Sequence, residues 1–446
     1  MTTEPAGDAR HVVVIGHADV GRRACALLTR RGIRTTHLDE PTDAQVREAL
    51  SGPVDGVAVL LHDIVRALRY CLAVAHVRPG IRLFVAMFDG TARAQLERTV
   101  PNCVVLSPAA IDAPSMVAAA IAPDHVAVRR AASGREWVTV DATAESERAS
   151  IHPFQPAGRL RLRGVVGRLR GQLHPYDAGS AVLLGGAFGL LAVIAVDTLV
   201  GLRHDSFVRA LYDATRTTAT ISAPELADET WVLAWATVAA LLVMGFTAAF
   251  AAGIVHHLIS GRHVALVGRR VMPRSGHVVV TGMGQVGVRL AQELRDLGVA
   301  VIGVERYDNA PALPVARDLG IPVLVGDAAS RRVLRRASLR RAVAVVTAGS
   351  EERDNIAVAV AAQAVDPAAQ VVIRAGADDA IDETRSLFHT GSVVDVNGLT
   401  AAYVVESMVQ QAPYCVVSDR DRVLAIDASG AVVALLPECT VRCDCG

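Results

Sequence analysis

Residues 277–305 read HVVVTGMGQVGVRLAQELRDLGVAVIGVE. Val278 to Thr281 is an apolar run of strand length, and Gly282, Gly284 and Gly287 follow in the spacing G-x-G-x-x-G. A helical pattern comes next. Val288, Leu290, Ala291, Leu294 and Leu297 fall on one side, and Arg289, Gln292, Glu293, Arg295 and Asp296 on the other. Gly298 ends it, and a second apolar run, Val299 to Val304, stops at Glu305. Strand, glycine turn, helix, strand and terminal acid make the first half of a dinucleotide-binding fold. Gly282 permits the tight turn, Gly284 lets a pyrophosphate approach the backbone, and Gly287 lets helix and strand pack closely. Gln285 and Val286 open the helix, whose free N–H groups and positive dipole end suit phosphate. Glu305 stands where a carboxylate can accept ribose hydroxyls.

The same frame occurs earlier. His11 to Asp39 reads HVVVIGHADVGRRACALLTRRGIRTTHLD, and a shift of 266 lays His11 on His277, Gly16 on Gly282, Gly21 on Gly287 and Asp39 on Glu305. This is a duplicated domain rather than a solenoid repeat. The copies differ where a ligand would sit: Ala18 replaces the middle glycine, and Asp19 adds negative charge beside an anion site. The first copy is therefore expected to be a structural Rossmann domain that has lost its nucleotide.

The chain has 446 residues, is 52% hydrophobic and carries no net charge. That length suggests two or three domains, and the positive mean hydropathy of +0.35 directs attention to membrane segments. All 45 basic residues are arginine. Of the seven cysteines, Cys439, Cys443 and Cys445 cluster in the tail. Three soft ligands without a fourth make a solvated tail the expectation, with no metal site. Glu4, Asp8 and Arg10 before the first strand do not resemble a signal peptide.

In chain order, residues 1–123 form the first Rossmann-like domain, with further strands expected at Val57–Leu61, Leu83–Phe88 and Val104–Leu106. Residues 124–177 read as a linker with one strand near Trp137–Val140 and a basic run carrying Arg159, Arg161, Arg163, Arg168 and Arg170. Within 178–260 lie two long apolar segments. Ala178 to Leu202 carries only Asp197, and Trp231 to Ile259 has no charge before His256. Each exceeds the roughly 20 residues that cross a bilayer core. Arginines precede the first span, and Arg262, Arg269, Arg270 and Arg274 follow the second. The positive-inside bias puts both termini in the cytoplasm and the loop outside, with Trp231 and Trp235 at the outer interface. Residues 261–408 hold the second Rossmann domain, with strands expected at Val323–Val325, Ala342–Thr347, Gln370–Arg374 and Ser392–Val396. Residues 409–446 are a short tail with about three strands by their β-branched content.

Two spans joined to such a domain resemble the two-helix potassium channels that carry an RCK (TrkA-N) domain. The motifs that carry the resemblance are Gly326–Asp327–Ala328, then Leu334 and Ala337, then VVTAGSEERDN at Val345–Asn355. The first copy is similar but lacks the Gly-Asp element. The resemblance implies an α/β Rossmann-like architecture in two copies flanking an all-α transmembrane pore-like domain. It implies an NAD(H) or other adenine nucleotide (ATP/ADP) held by Gly282, Gly284, Gly287 and Glu305, with Asp327 near the adenine. The family's C-terminal ligand subdomain is truncated here. The expected partners are that nucleotide, potassium or another monovalent cation, the lipid bilayer and three more copies of the chain, with no nucleic acid and no enzymatic activity.

Ala210 to Glu225, ALYDATRTTATISAPE, resembles the family's pore helix and filter, and places Thr217, Thr218, Ala219 and Thr220 at the pore. The filter glycines are missing: no glycine occurs from Leu202 to Met244. Alternate residues of a carbonyl-lined filter need left-handed backbone, which costs other residues roughly 1 kcal/mol or more each. Potassium selectivity therefore does not follow. Thr217, Thr218 and Thr220 would instead offer hydroxyls to a partly hydrated ion, with Arg216 lowering cation flux unless Asp213 pairs with it. Gly245, within the second span, is either a gating hinge or one of the glycines common in membrane helices. Three functions remain open: a nucleotide-regulated channel-like protein, a non-conducting nucleotide sensor, and an NAD-dependent oxidoreductase, for which no substrate domain is evident.

Overall fold

In the computed structural model, residues 10–16, 18–61, 63–87, 90–131, 134–142, 147–154, 178–203, 206–220, 230–259, 272–376, 391–409, 415–419 and 422–436 are described. They fall into two units, one drawn from 1–167 and 273–446, the other from 168–272.

The first half of the larger unit alternates β1 (His11–Gly16), α1 (Ala18–Arg30), β2 (Arg34–Leu38), α2 (Asp43–Ala49), β3 (Gly56–Leu60), α3 (Ile64–Val77), β4 (Arg82–Ala86), α4 (Gly90–Thr99), β5 (Cys103–Leu106) and α5 (Pro108–Ile121). Its strands form one parallel sheet in the order β2-β1-β3-β4-β5. The segment expected to be a linker with a single strand instead carries three: β6 (Ala127–Ala131), β7 (Gly134–Ala142) and β8 (Glu147–Pro153), an antiparallel meander. Alternate positions such as Thr139 and Asp141 are polar and bond to Ser150 of β8, so hydropathy alone shows only the middle strand.

The smaller unit holds α6 (Ala178–Gly201), α7 (Phe207–Thr220) and α8 (Thr230–Ile259). Within α6 and α8, Ala181–Gly201 and Leu233–Val255 are long and apolar enough to cross a membrane, and only 17% of each window is buried. A core helix of a soluble protein would be mostly buried. The two helices approach closely through glycine, as membrane helices do. A Cβ on Gly186 would stand 2.7 Å from the Phe250 nitrogen, and one on Gly253 2.7 Å from Leu183 Cα. Trp235 Nε1 donates to Asp197 Oδ1 at 2.7 Å, so the single acid of the first span ties it to the second. α8 runs unbroken through Gly245, where a Cβ would meet nothing. The basic run at 159–170 and residues 262–270 lie outside the described residues.

The second half repeats the alternation: β9 (His277–Thr281), α9 (Gln285–Asp296), β10 (Ala300–Glu305), α10 (Leu313–Asp318), β11 (Val323–Val325), α11 (Arg331–Arg336), β12 (Ala344–Thr347), α12 (Glu352–Val365), β13 (Val371–Ala375), β14 (Gly391–Asp395) and α13 (Val396–Val409). The parallel sheet runs β11-β10-β9-β12-β13-β14. β9 is wholly buried and pairs parallel with β10 on one side and β12 on the other, so the strand order runs outward from it in both directions. A second meander follows, β15 (Cys415–Asp419), β16 (Arg422–Ile426) and β17 (Val432–Leu436). The duplicated unit is therefore sheet, closing helix and meander. The two meanders share a core of Ala127, Val138, Val417, Leu424 and Ile426.

The closing helices are exchanged. α5 follows the first sheet but packs on α9 and the second sheet, and α13 follows the second sheet but packs on α1 and β4 of the first. Both helices are apolar around most of their circumference, with Ile111, Met116 and Val117 buried in α5 and Leu399, Val404 and Val405 in α13. Such helices need partners on several sides. One apolar core results, running from Val12 and Val14 to Val278 and Val280. Arg23 of α1 crosses the seam to Asp395, its Nη1 lying 2.5 and 2.6 Å from the two carboxylate oxygens.

Candidate nucleotide site

The C-terminal ends of β9, β10 and β12 meet at the switch point of the second sheet, where α/β folds bind ligands. Gly282 leaves β9 with φ +81, and a Cβ there would stand 2.7 Å from the Gly349 nitrogen. A Cβ on Gly287 would stand 2.0 Å from the Gly282 oxygen, so helix and strand touch through backbone. Gly284 is different. It is the extended N-cap of α9, and its Cβ would project into open space. No side chain caps α9, which leaves its first-turn N–H groups for an anion. Gln285 is exposed beside it, while Val286 is buried under the helix.

Glu305 Oε2 accepts from the Met283 N–H at 2.8 Å, and Oε1 accepts from Arg306 and Tyr307 at 2.8 and 3.3 Å. The acid that ends β10 thus closes on the glycine turn. Gly326 leaves β11 with φ +153, Asp327 Oδ1 accepts from the Ala329 N–H at 3.0 Å, and Ala328 is buried behind it. The structure brings Gly282, Gly284, Gln285, Val286, Gly287 and Glu305 together on one turn, with Asp327 linked to them through Arg306.

Arg306 has no role in the sequence reading, which assigns only one of its two partners, Asp327. Its Nη1 donates to Asp354 at 2.9 Å and its Nη2 to Asp327 at 3.4 Å. These bonds raise its already high pKa, with Asp354 the main cause. Asn355 fixes the neighbouring loop. Its Oδ1 accepts from the Gly349 N–H, and its Nδ2 donates to the carbonyls of Gly349 and Arg374. That loop lies against Gly282. The available signal was the Glu-Arg-Asp-Asn run after β12, which carries charge and amide at the sheet's binding end.

The first half presents a different turn. A Cβ on Gly16 would meet the Leu60 oxygen at 2.6 Å, and Gly16 lacks the positive φ of Gly282. The His37 imidazole lies against Gly21, its Nε2 only 2.3 Å from where a Cβ would be. Burial lowers the His37 pKa, offset in part by a hydrogen bond with the Gly16 backbone and by Asp39. Asp19 pairs with Arg22 at 2.9 Å, on the surface. The Ala18 side chain and His17 lie outside the described residues.

Thr217, Thr218, Ala219 and Thr220 are helical, as the last turn of α7. The resemblance placed these residues at the pore, and the hydroxyls of Thr217 and Thr218 donate to the backbone of the helix. Thr217 Oγ1 donates to the Asp213 carbonyl at 2.7 Å and Thr218 Oγ1 to the Ala214 carbonyl at 2.9 Å. Threonine satisfies its hydroxyl this way inside a helix. Residues 221–229, the rest of the expected filter, and Cys439, Cys443 and Cys445 lie outside the described residues. No His, Cys, Asp and Glu cluster fit for a metal occurs among the described residues.

Residues 278–393 match the TrkA-N domain family model. A 66-residue stretch is 41% identical to formate-dependent phosphoribosylglycinamide formyltransferase of Histophilus somni (strain 129Pt), covering 15% of this chain and 17% of that protein. The chain thus spans under a fifth of the length of that curated relative. Two solved structures resemble most of the chain at 14% identity, the GsuK RCK domain and the GsuK channel, each with a TM-score of 0.50 and each covering 91% of this chain. They take in 78% and 64% of those chains. At that identity they bear on fold alone. The second half has the TrkA-N (RCK) fold, and two apolar helices interrupt the chain between its halves.

Proposed function

We propose that this chain is a channel-like membrane protein whose TrkA-N half binds an adenine nucleotide and biases the two membrane helices. The observation that carries the reading is the open space at Gly284, bounded by the uncapped end of α9 and by Glu305. Phosphates would take the N–H groups of Gln285 and Val286, and Glu305 the ribose hydroxyls. NAD(H), ADP and ATP share that chemistry. Asp327 and Asp354 outnumber Arg306 at the ribose end, which disfavours a 2′-phosphate. The nucleotide acts as an effector, and no chemistry on it is proposed. Potassium or another monovalent cation is the permeant, the membrane helices span the cell membrane with both termini cytoplasmic, and the chain works as a homotetramer. Liposomes bearing the purified protein should pass potassium, with a rate that changes on adding NAD or ADP.

A second reading is a membrane-bound nucleotide sensor that does not conduct. The helical state of Thr217–Thr220 and the absence of glycine from Leu202 to Met244 favour it. Nucleotide binding without flux of potassium or sodium would select this reading.

A further inference from the structure

The seam between the two halves holds a cavity of about 370 Å³. Its size falls within the range of small-molecule sites. One wall is apolar, from Leu106, Ile111, Val117, Val128, Leu297 and Val416. Arg93, Arg129, Arg130, Arg135 and Arg289 lie on the rest, together with the Glu293 carboxylate. The fixed part is Arg135, 15% exposed and paired with Glu293 and Asp296 of α9. Arg93, Arg130 and Arg289 are held weakly. Arg93 pairs with Glu97 and Arg289 with Glu293, one helical turn apart and with 49% and 43% of the arginine side chains exposed. Such surface pairs contribute only a few tenths of a kcal/mol. Arg130 likewise reaches Asp296 from the surface. Arg93, Arg130, Arg135 and Arg289 share Glu97, Glu293 and Asp296 as partners, so that Glu293 and Asp296 each serve two arginines.

We propose that this cavity binds a small organic anion with one or two carboxylate, sulfonate or phosphate groups on an apolar body. The body would rest on the aliphatic wall and the anionic groups would draw Arg93 and Arg289 from their weak helical pairs. The site is separate from the glycine turn, and its occupancy does not depend on the nucleotide reading. The walls come from both halves, α5 and β6 on one side and α9 and β15 on the other, so a bound anion would also tie the halves together.

The test is calorimetric titration of the full-length protein in neutral detergent, without nucleotide, using benzene-1,3-dicarboxylate. Saturable binding at one site per chain is expected. Arg93→Ala and Arg289→Ala should each weaken it about tenfold, the scale of one lost charge-assisted hydrogen bond. Ala110→Trp, at an exposed position on the cavity rim, should abolish it by filling the space while leaving the melting temperature unchanged. The neutral benzene-1,3-dicarboxamide should not bind. No saturable heat with the wild type would overturn the proposal. So would equal binding of the neutral diamide, or binding that survives in both Ala110→Trp and the arginine variants.

Discussion

Glu305 Oε2 and the Met283 backbone nitrogen lie 2.8 Å apart, a hydrogen bond that joins the end of the second strand to the glycine turn before any ligand is considered. Glu305 is thus held at the mouth of the site by three backbone N–H groups. Glu305→Ala should weaken ADP and NAD binding by about tenfold or more, since hydrogen bonds to a charged group contribute about 1.5–3 kcal/mol. Asp39→Ala, at the equivalent place in the first half, should leave binding unchanged. Equal losses in the two variants would show that both halves bind.

The three glycines should separate by phenotype. Gly284→Val places a side chain in open space, so the protein should fold and melt normally yet fail to bind nucleotide. Gly287→Ala drives a Cβ to within 2.0 Å of the Gly282 oxygen and should destabilise the fold itself. Melting curves and titrations of both variants check this. Normal binding by Gly284→Val would remove the turn from the site.

Arg23 and Asp395 make a buried pair across the seam, with Asp395 Oδ1 also accepting the Gly398 N–H at 2.9 Å. Removing one member leaves the other charge buried, which costs about 3–5 kcal/mol. Arg23→Met should therefore lower stability strongly by chemical denaturation, and Arg23→Met with Asp395→Asn should recover part of the loss. A loss under about 1 kcal/mol in the single variant, the scale of a surface pair, would mean that the pair is hydrated.

His277 is buried at the start of β9, and burial pushes its pKa down to about 4, partly offset by the Ala337 carbonyl at 2.8 Å. A depressed pKa means that the unfolded chain takes up the proton first. The neutral histidine's contribution is intact above about pH 6.5, the unfolded value, and is lost as pH falls from there toward 4. About 3 kcal/mol is at stake over that window. Asp112, whose carboxyl burial raises well above its ordinary range, tilts the curve in the opposite sense. The difference between wild type and His277→Gln is therefore the quantity to read, and it should shrink as pH falls from 7 to 5. A pH-independent difference would contradict a neutral buried imidazole.

The motif from His277 to Glu305 was legible because periods of two and 3.6 residues and three glycines act locally. The two apolar spans were legible from length and composition. The exchange of α5 and α13 was not. Their all-round apolar sequences signal burial on several sides but do not name the partner, which is set by packing far along the chain. The meander at 127–153 was hidden by its polar alternate positions. Arg306 and Asp354 come together only when β10 and α12 meet at one end of the sheet, a contact across 48 positions. The resemblance matched Thr217–Thr220 to a filter, and these residues form the last turn of α7.

The most direct measurement is a titration of ADP into the purified full-length protein, read by calorimetry for stoichiometry. One saturable site per chain is expected, retained in Asp39→Ala and lost in Gly284→Val. Two sites per chain, or no saturable heat with ADP or NAD, would contradict a single nucleotide site at the Gly282–Gly287 turn.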